Sequence, residues 1–329
     1  MAMKAIIADT LSSLESYELR EIPRPSPDST QILVRVASCG VGYVDSLVAL
    51  GRYQVKPPTP FIPGREIAGI VEAAGEAVKT FRPGDRVFAL AQSGFAEYAL
   101  ASETTTYRMP DDMPFDEAAS FPLNYLTAFH GLVDRGALSS GETVLVFGAA
   151  GGVGSAATQI AKALGARVVA AASSEEKRTF AKQMGADHVI DTFQEGWRDR
   201  LKSLLSGAKP DVIFDPVCGP LFEAAFRSLN WRGRHLVVGF VGGPIPALPI
   251  NLTLMKGASL LGVDVRQYME FEGHQLNADF RQLGALYRQG QIRPVPGMAF
   301  DFPEFGAALN SAFSGQNLGK VVLKIDRTL

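Results

Sequence analysis

The segment that most restricts this chain is a glycine-rich turn, Gly148-Ala149-Ala150-Gly151-Gly152-Val153-Gly154. A continuous apolar run over 143–147 precedes it. A helical stretch over 155–164 follows, with Ala157, Ile160, Ala161 and Leu164 on one face. A second apolar strand runs over 167–172. In an arrangement of strand, tight turn, helix and second strand, backbone N–H groups and a helix N-terminus can receive a pyrophosphate. The glycines let the backbone approach it closely. A merely tight strand–helix turn is the alternative. The context favours dinucleotide binding, with Ala150, Gly151, Gly152, Val153 and Gly154 as the contact residues.

The tip of the second strand bears on which dinucleotide. NAD binders usually place an acid there to accept from the ribose 2′-OH. Here the tip reads Ala171-Ala172-Ser173-Ser174. The hydroxyls of Ser173 and Ser174 can donate to a 2′-phosphate, and Lys177 can add a point charge. A solvated surface lysine is the competing reading of Lys177. Glu175 and Glu176 suit the first turn of a helix over 175–184. The pattern favours NADPH.

Beyond the turn, strands and helices alternate, with later strands over 188–190, 212–215 and 236–239. Continuous apolar strands of this kind imply an α/β fold with a parallel sheet covered on both faces. The chain before residue 115 has a different texture. Short apolar runs over 5–8, 31–36, 67–72 and 86–90 are separated by Gly and Pro, and Arg82-Pro83-Gly84-Asp85-Arg86 forms a turn. Many short strands suggest a compact barrel. The tail from about residue 266 mixes a helical stretch with a last strand over 320–325. With 329 residues, two lobes are expected.

Bulk properties exclude several classes. A net charge of -2 argues against nucleic acid as the main partner. Two cysteines rule out a disulfide framework and point to the reducing cytoplasm. The first apolar run, ended by Asp9, is too short for a signal peptide. Residues 236–255 carry no charge, but Gly239, Gly242, Gly243, Pro244, Pro246 and Pro249 would break a membrane-spanning helix. The four histidines stand singly, none spaced as a metal-ligand pair.

A wider set of motifs carries a family resemblance. These are Cys39-Gly40-Val41-Gly42-Tyr43-Val44-Asp45, Gly51-Arg52-Tyr53, the stretch 57–64 with Glu66, Gly84-Asp85-Arg86-Val87, the glycine turn, Gly185-Ala186-Asp187 and Gly319-Lys320-Val321-Val322-Leu323. Over essentially its whole length the chain resembles the medium-chain dehydrogenase/reductase superfamily. Within that superfamily it is similar to the zinc-free quinone oxidoreductase branch that includes zeta-crystallin. The resemblance implies a GroES-like β-barrel lobe plus a Rossmann lobe with a doubly wound parallel sheet. The expected layout is a GroES-like catalytic part over 1–120, an NADPH-binding Rossmann domain over 121–265, and a return to the catalytic domain over 266–329.

Zinc-dependent members of the superfamily place Cys where this chain has Gly42 and His where it has Arg65. No metal is therefore expected. Without a Lewis acid the substrate must be electrophilic by itself, as quinones and α,β-unsaturated carbonyl compounds are. The protein then needs to hold the ring beside the nicotinamide and stabilise the developing oxyanion. No nucleophile or acid–base pair stands out. By resemblance, Tyr43 and Tyr53 belong to the substrate pocket. Gly42 replaces an Asn common in the branch and would widen that pocket. Arg65 can bind a carboxylate, phosphate or oxyanion, or form an ion pair with Asp45 or Glu66; the ion pair is favoured.

The resemblance assigns Thr127, Gly239, Phe240 and Val241 to the cofactor. It places a last strand over 261–265, with Val263 near the nicotinamide and subunits of a homodimer pairing across this region. Asn317 and Lys320 would contact the cofactor phosphates. Thr192 stands where relatives carry an aromatic contact. The expectation is a cytoplasmic NADPH:quinone oxidoreductase-like enzyme with no nucleic-acid or membrane partner. An enoyl-thioester reductase is one alternative; it would want a basic groove, to which Arg65, Arg266 or Arg281 could contribute. A protein that binds NADPH without turnover is another.

Overall fold

The computed structural model describes residues 1–329. The chain forms two compact units, Met1–Leu123 with Pro294–Leu329, and Asn124–Arg293.

The first unit is built on a seven-stranded sheet. Its path runs Pro296–Asp301, Lys320–Lys324, Gln31–Val41, Glu66–Ala74, Arg86–Leu90 and Thr106–Arg108, with Tyr98–Ser102 also paired to Gln31–Val41. Ala2–Ile7 and Glu18–Pro23 form a separate two-stranded sheet. The core gathers Ile32, Val34, Val36, Ile67, Phe95, Val321 and Leu323, all buried. The strand Gln31–Val41 runs well past the apolar run at its start. Its second half, Ser38 to Val41, is held by antiparallel pairing to Lys320–Lys324, with Val321 opposite Val41 and Val322 opposite Gly40. A side chain could not replace Gly40, because a Cβ there would lie 2.3 Å from the Ala119 carbonyl oxygen.

The second unit contains a six-stranded parallel sheet. Its spatial order is His188–Ile190, Arg167–Ala171, Thr143–Phe147, Val212–Asp215, Arg234–Val237 and Ser259–Gly262. This is the doubly wound order, with the strand before the glycine turn third from one edge. The interior strand residues Val144, Leu145, Val146, Val168, Val169, Ile213 and Phe214 are fully buried, as the continuous apolar runs require.

Several boundaries differ from the sequence reading, among them the strand expected over 236–239, which is Arg234–Val237. Residues 266–293 belong to the second unit, not to the return. The helix Leu276–Arg288 buries Leu276, Phe280, Leu283 and Tyr287 on one side, and the Arg293 N–H then donates to Gln159 Oε1 at 2.6 Å. The last parallel strand is Ser259–Gly262 rather than 261–265. Asp264 ends it, because its carboxylate accepts from the N–H groups of Arg266 and Gln267 and caps the helix Val265–Phe271. The helix after the glycine turn begins at Gly152, so the glycines form its first turn. The uncharged stretch 236–255 is a strand end, a Gly/Pro loop and the short helix Asn251–Lys256. No helix is long and apolar enough to cross a membrane.

Candidate functional site

In the second unit, the strand Thr143–Phe147 ends at Gly148, whose φ of +57° suits glycine. Gly151 caps the helix Gly152–Ala163. The first N–H groups of a helix have no intrahelical acceptor, so those of Gly152, Val153 and Gly154 are available to an anion. Packing explains two of the glycines. A Cβ at Gly154 would lie 2.1 Å from the Gly148 carbonyl oxygen, and one at Gly152 would lie 2.5 Å from Asn124 Nδ2. Ala150, within the turn, is buried. Thr127, 7% exposed, lies on the helix Pro122–Phe129 that carries Asn124.

At the tip of the strand Arg167–Ala171, Ser173 and Ser174 are exposed. Ser174 Oγ accepts from the Lys177 N–H at 3.2 Å and caps the helix Glu175–Gln183, leaving its own hydrogen to donate elsewhere. Lys177 is half-buried. Sequence reasoning missed Arg178, whose guanidinium donates to the Ala172 carbonyl at 3.2 Å and so brings a second cation to the strand tip. Its signal was its place one turn beyond Ser174 on the same helix.

A second omission is the loop after Val212–Asp215. Asp215 Oδ1 accepts from the N–H groups of Val217 (2.9 Å) and Cys218 (2.8 Å), while Oδ2 lies 3.0 Å from His235 Nε2. Both side chains are buried. The clamp sets Val217 against the glycine turn, 3.2 Å from where a Cβ on Gly148 would stand. The Val217 carbonyl in turn accepts from the Gly242 N–H at 2.8 Å. Gly239, Phe240 and Val241 follow the strand Arg234–Val237, and the last two expose apolar side chains. Val263, just after the strand Ser259–Gly262, is buried. The glycine turn, residues 173–174, 216–219 and 239–241 thus follow the carboxyl ends of parallel strands, where ligands of such sheets bind.

The first unit holds a buried charge cluster. Lys320, 6% exposed, pairs its ammonium with the carboxylate of Glu66, 1% exposed. Glu66 Oε2 also accepts from the Leu123 N–H at 3.0 Å. A Cβ on Gly42 would stand 3.2 Å from Lys320 Nζ and 3.3 Å from Asp45 Oδ2. Asp45 accepts from the Gly42 N–H at 2.7 Å, at the start of the helix Tyr43–Ala49. Burial pushes the Asp45 carboxyl up to about 6, against the attraction of Lys320.

The other predicted pocket residues, and Asn317, belong to the same unit. Arg65 is exposed, and the favoured ion pair does not form: Glu66 takes Lys320 instead, and Asp45 is bonded to Gly42. Tyr43 stacks on Phe313, centroids 5.4 Å apart and planes 5° from parallel. Tyr53 is half-buried. Asn317 is engaged with Ser311, accepting from its hydroxyl at 2.7 Å and donating to its carbonyl at 2.6 Å.

Zinc needs three or four N, S or O ligands in a fixed geometry. Gly42 and Arg65 offer none, and the Lys320 ammonium adjoins Gly42. No group of three or more His, Cys, Asp or Glu side chains is placed to hold a metal ion. These residues do not fit zinc.

Comparison with known proteins agrees with this architecture. The alcohol dehydrogenase GroES-like domain family matches residues 28–111, and the zinc-binding dehydrogenase family matches residues 152–278. The quinone oxidoreductase of Sus scrofa is 35% identical over 306 residues, 92% of each chain. A mycobacterial protein solved with NADPH is 28% identical, with a TM-score of 0.90 over 98% of this chain and 100% of its own. The CurK enoyl reductase is 25% identical, also with a TM-score of 0.90, over 98% of this chain and 99% of its own. The chain belongs to the medium-chain dehydrogenase/reductase family. Among its members it stands with the quinone oxidoreductases, as an oxidoreductase that uses a nicotinamide cofactor.

Proposed function

We propose that the protein reduces quinones or α,β-unsaturated carbonyl compounds with NADPH, by direct hydride transfer and without zinc. The observation that carries this reading is the Lys320 ammonium packed against Gly42 and held by Glu66. A fixed cation stands beside a position that supplies a metal ligand in zinc-dependent relatives. NADPH, when bound, supplies the hydride. The N–H groups of residues 152–154 hold its pyrophosphate, and Ser173, Ser174, Lys177 and Arg178 hold the 2′-phosphate. Thr127, Gly239, Phe240, Val241 and Val263 face the nicotinamide half.

Tyr43, fixed by its stack on Phe313, offers a flat ring and an O–H to the substrate, with Tyr53, Gly42 and Arg65 lining the same pocket. A phosphate role for Asn317 or Lys320 requires each to exchange its present partner, Ser311 or Glu66. We further propose a homodimer across the sheet edge Ser259–Gly262, where Ile250, Leu254 and Leu260 are exposed. Cys39 and Cys218 are buried free thiols, as the cytoplasm allows.

The likeness to an enoyl reductase supports a second reading, hydride transfer to an enoyl thioester. One assay separates the two. NADPH oxidation is followed with phenanthrenequinone, naphthoquinone, an alkenal and crotonyl-CoA in parallel, with NADH as control and a chelator in a matched series. Quinone or alkenal turnover that prefers NADPH and ignores the chelator is expected. Turnover of the thioester alone selects the second reading. Tight NADPH binding with no oxidation of any substrate overturns both and leaves a binding protein.

A further inference from the structure

The second unit has a cavity of about 760 Å³ walled by the helices Trp197–Leu204, Phe222–Ser228 and Asn251–Lys256 and the loops beside them. Neither the glycine turn nor residues 173–178 nor 239–241 lines it. Its charge is one-sided. Arg198, Lys202, Lys209, Arg227 and Lys256 line it, against the single acid Asp199. Two other acids nearby are engaged: Glu223 with Arg227 at 2.7 Å, and Asp211 with Asn230 and the Thr143 N–H, both at 2.9 Å. The Lys256 ammonium donates to the Leu229 carbonyl at 2.7 Å. Burial first, then the charges of Lys209, Arg198 and Arg227, lowers its pKa from the ordinary lysine value. Lys256 therefore feels the three other cations, and among the five cations of the lining only Arg227 is ion-paired, with Glu223.

An aromatic wall adjoins the cations. Trp231 is 68% exposed, yet its ring is held in place. One side rests on Gly257, where a Cβ would meet the ring at 2.8 Å, and the backbone below it is tied by the Trp231 main-chain N–H, which donates to Asn230 Oδ1 at 2.9 Å. Gly257 has a φ of +55° and ends the helix Asn251–Lys256, so the residue that makes room for the ring is also the one the turn requires. Trp197, 1% exposed, contributes to the floor and is anchored by its Nε1–H to the Asp191 carbonyl at 3.1 Å.

We propose that this cavity binds a small aromatic phosphate, the chemistry of a nucleoside diphosphate, at a site separate from the cofactor turn. Five clustered cations against the single lining acid Asp199 favour a multiply charged anion, and guanidinium and ammonium donors suit phosphate oxygens. An exposed, pre-set indole offers a stacking face for a planar ring. The volume lies within the roughly 300–1,000 Å³ usual for small-molecule sites.

The chain has two tryptophans, Trp197 and Trp231, and both line this cavity, so intrinsic fluorescence reads it directly. ADP is titrated into the full chain in the presence of excess NADP⁺, with excitation at wavelengths adenine does not absorb. Saturable quenching that tripolyphosphate competes away is expected. The variant Arg198→Glu with Lys209→Glu, both at exposed positions, should bind ADP at least about tenfold more weakly with unchanged melting temperature and NADPH oxidation. No quenching by ADP overturns the proposal. So does equal affinity in the charge-reversed variant, which would place the ligand elsewhere. Quenching by an RNA homopolymer but by neither small phosphate would overturn it in favour of a nucleic-acid surface.

Discussion

Asp45, Glu66 and Lys320 show how much a single position can hide from sequence. Gly42 and Arg65 are visible as departures from a metal-binding pattern. The cation beside Gly42 is not, because Lys320 arrives through a long-range strand register, Val321 opposite Val41, that no local pattern encodes. The cluster also makes a pH-dependent contribution to stability. Asp45 has a folded pKa of about 6 against an ordinary 3.8, with burial the main cause. Between those values the folded chain holds a proton that the unfolded chain has released. Stability from this group is therefore greatest below about pH 4, falls as pH rises to about 6, and is level above. Asp45→Asn should remove that slope, a difference on the order of 1–3 kcal/mol between the ends of the window. Urea midpoints of the two proteins at several pH values test it; parallel curves would refute the assignment.

The elements that were legible are those whose local chemistry and tertiary role agree. Thr143–Phe147, His188–Ile190 and Val212–Asp215 are short apolar strands bounded by polar or glycine residues, and their limits follow from composition. The strand Ser259–Gly262 was misplaced because an aliphatic run continues past its end, while an aspartate side chain, Asp264, redirects the backbone into a helix. The helix start at Gly152 was hidden because glycines read as loop whether or not they occupy a first turn. The turn supports a graded prediction. At Gly154 an added methyl meets backbone, the Gly148 carbonyl oxygen at 2.1 Å, which can move only if the turn opens. At Gly152 it meets the end of the Asn124 side chain at 2.5 Å, which can rotate away. Gly154→Ala should weaken NADPH binding by roughly a hundredfold and lower the melting temperature, whereas Gly152→Ala should cost about tenfold or less. Calorimetric titration of both variants decides it. Equal losses would mean that the turn is not read through its backbone.

The whole chain crosses between its units twice, at Leu123 and at Arg293. The sequence showed two textures and a returning tail, but not where the tail leaves the second unit, since a helix such as Leu276–Arg288 is amphipathic wherever it packs. The return is structural for the first unit. Lys320–Lys324 lies between Pro296–Asp301 and Gln31–Val41, and Val321, Val322 and Leu323 are 3% exposed or less. A chain ending at Arg293 loses that strand, leaves Gln31–Val41 with an open edge over residues 38–41, and strands Glu66 without its ammonium partner. A buried carboxylate deprived of its partner costs about 3–5 kcal/mol, a large share of the stability of a domain. The second unit keeps all six strands of its sheet within 124–293. The truncated chain should therefore lose the cooperative transition of the first unit and keep that of the second. Limited proteolysis should then leave a protected fragment close to 124–293 while residues 1–123 are digested. Protection of 1–123 in the truncated chain would show that the barrel closes without its last strand, and that the Lys320–Glu66 pair serves the site rather than the fold.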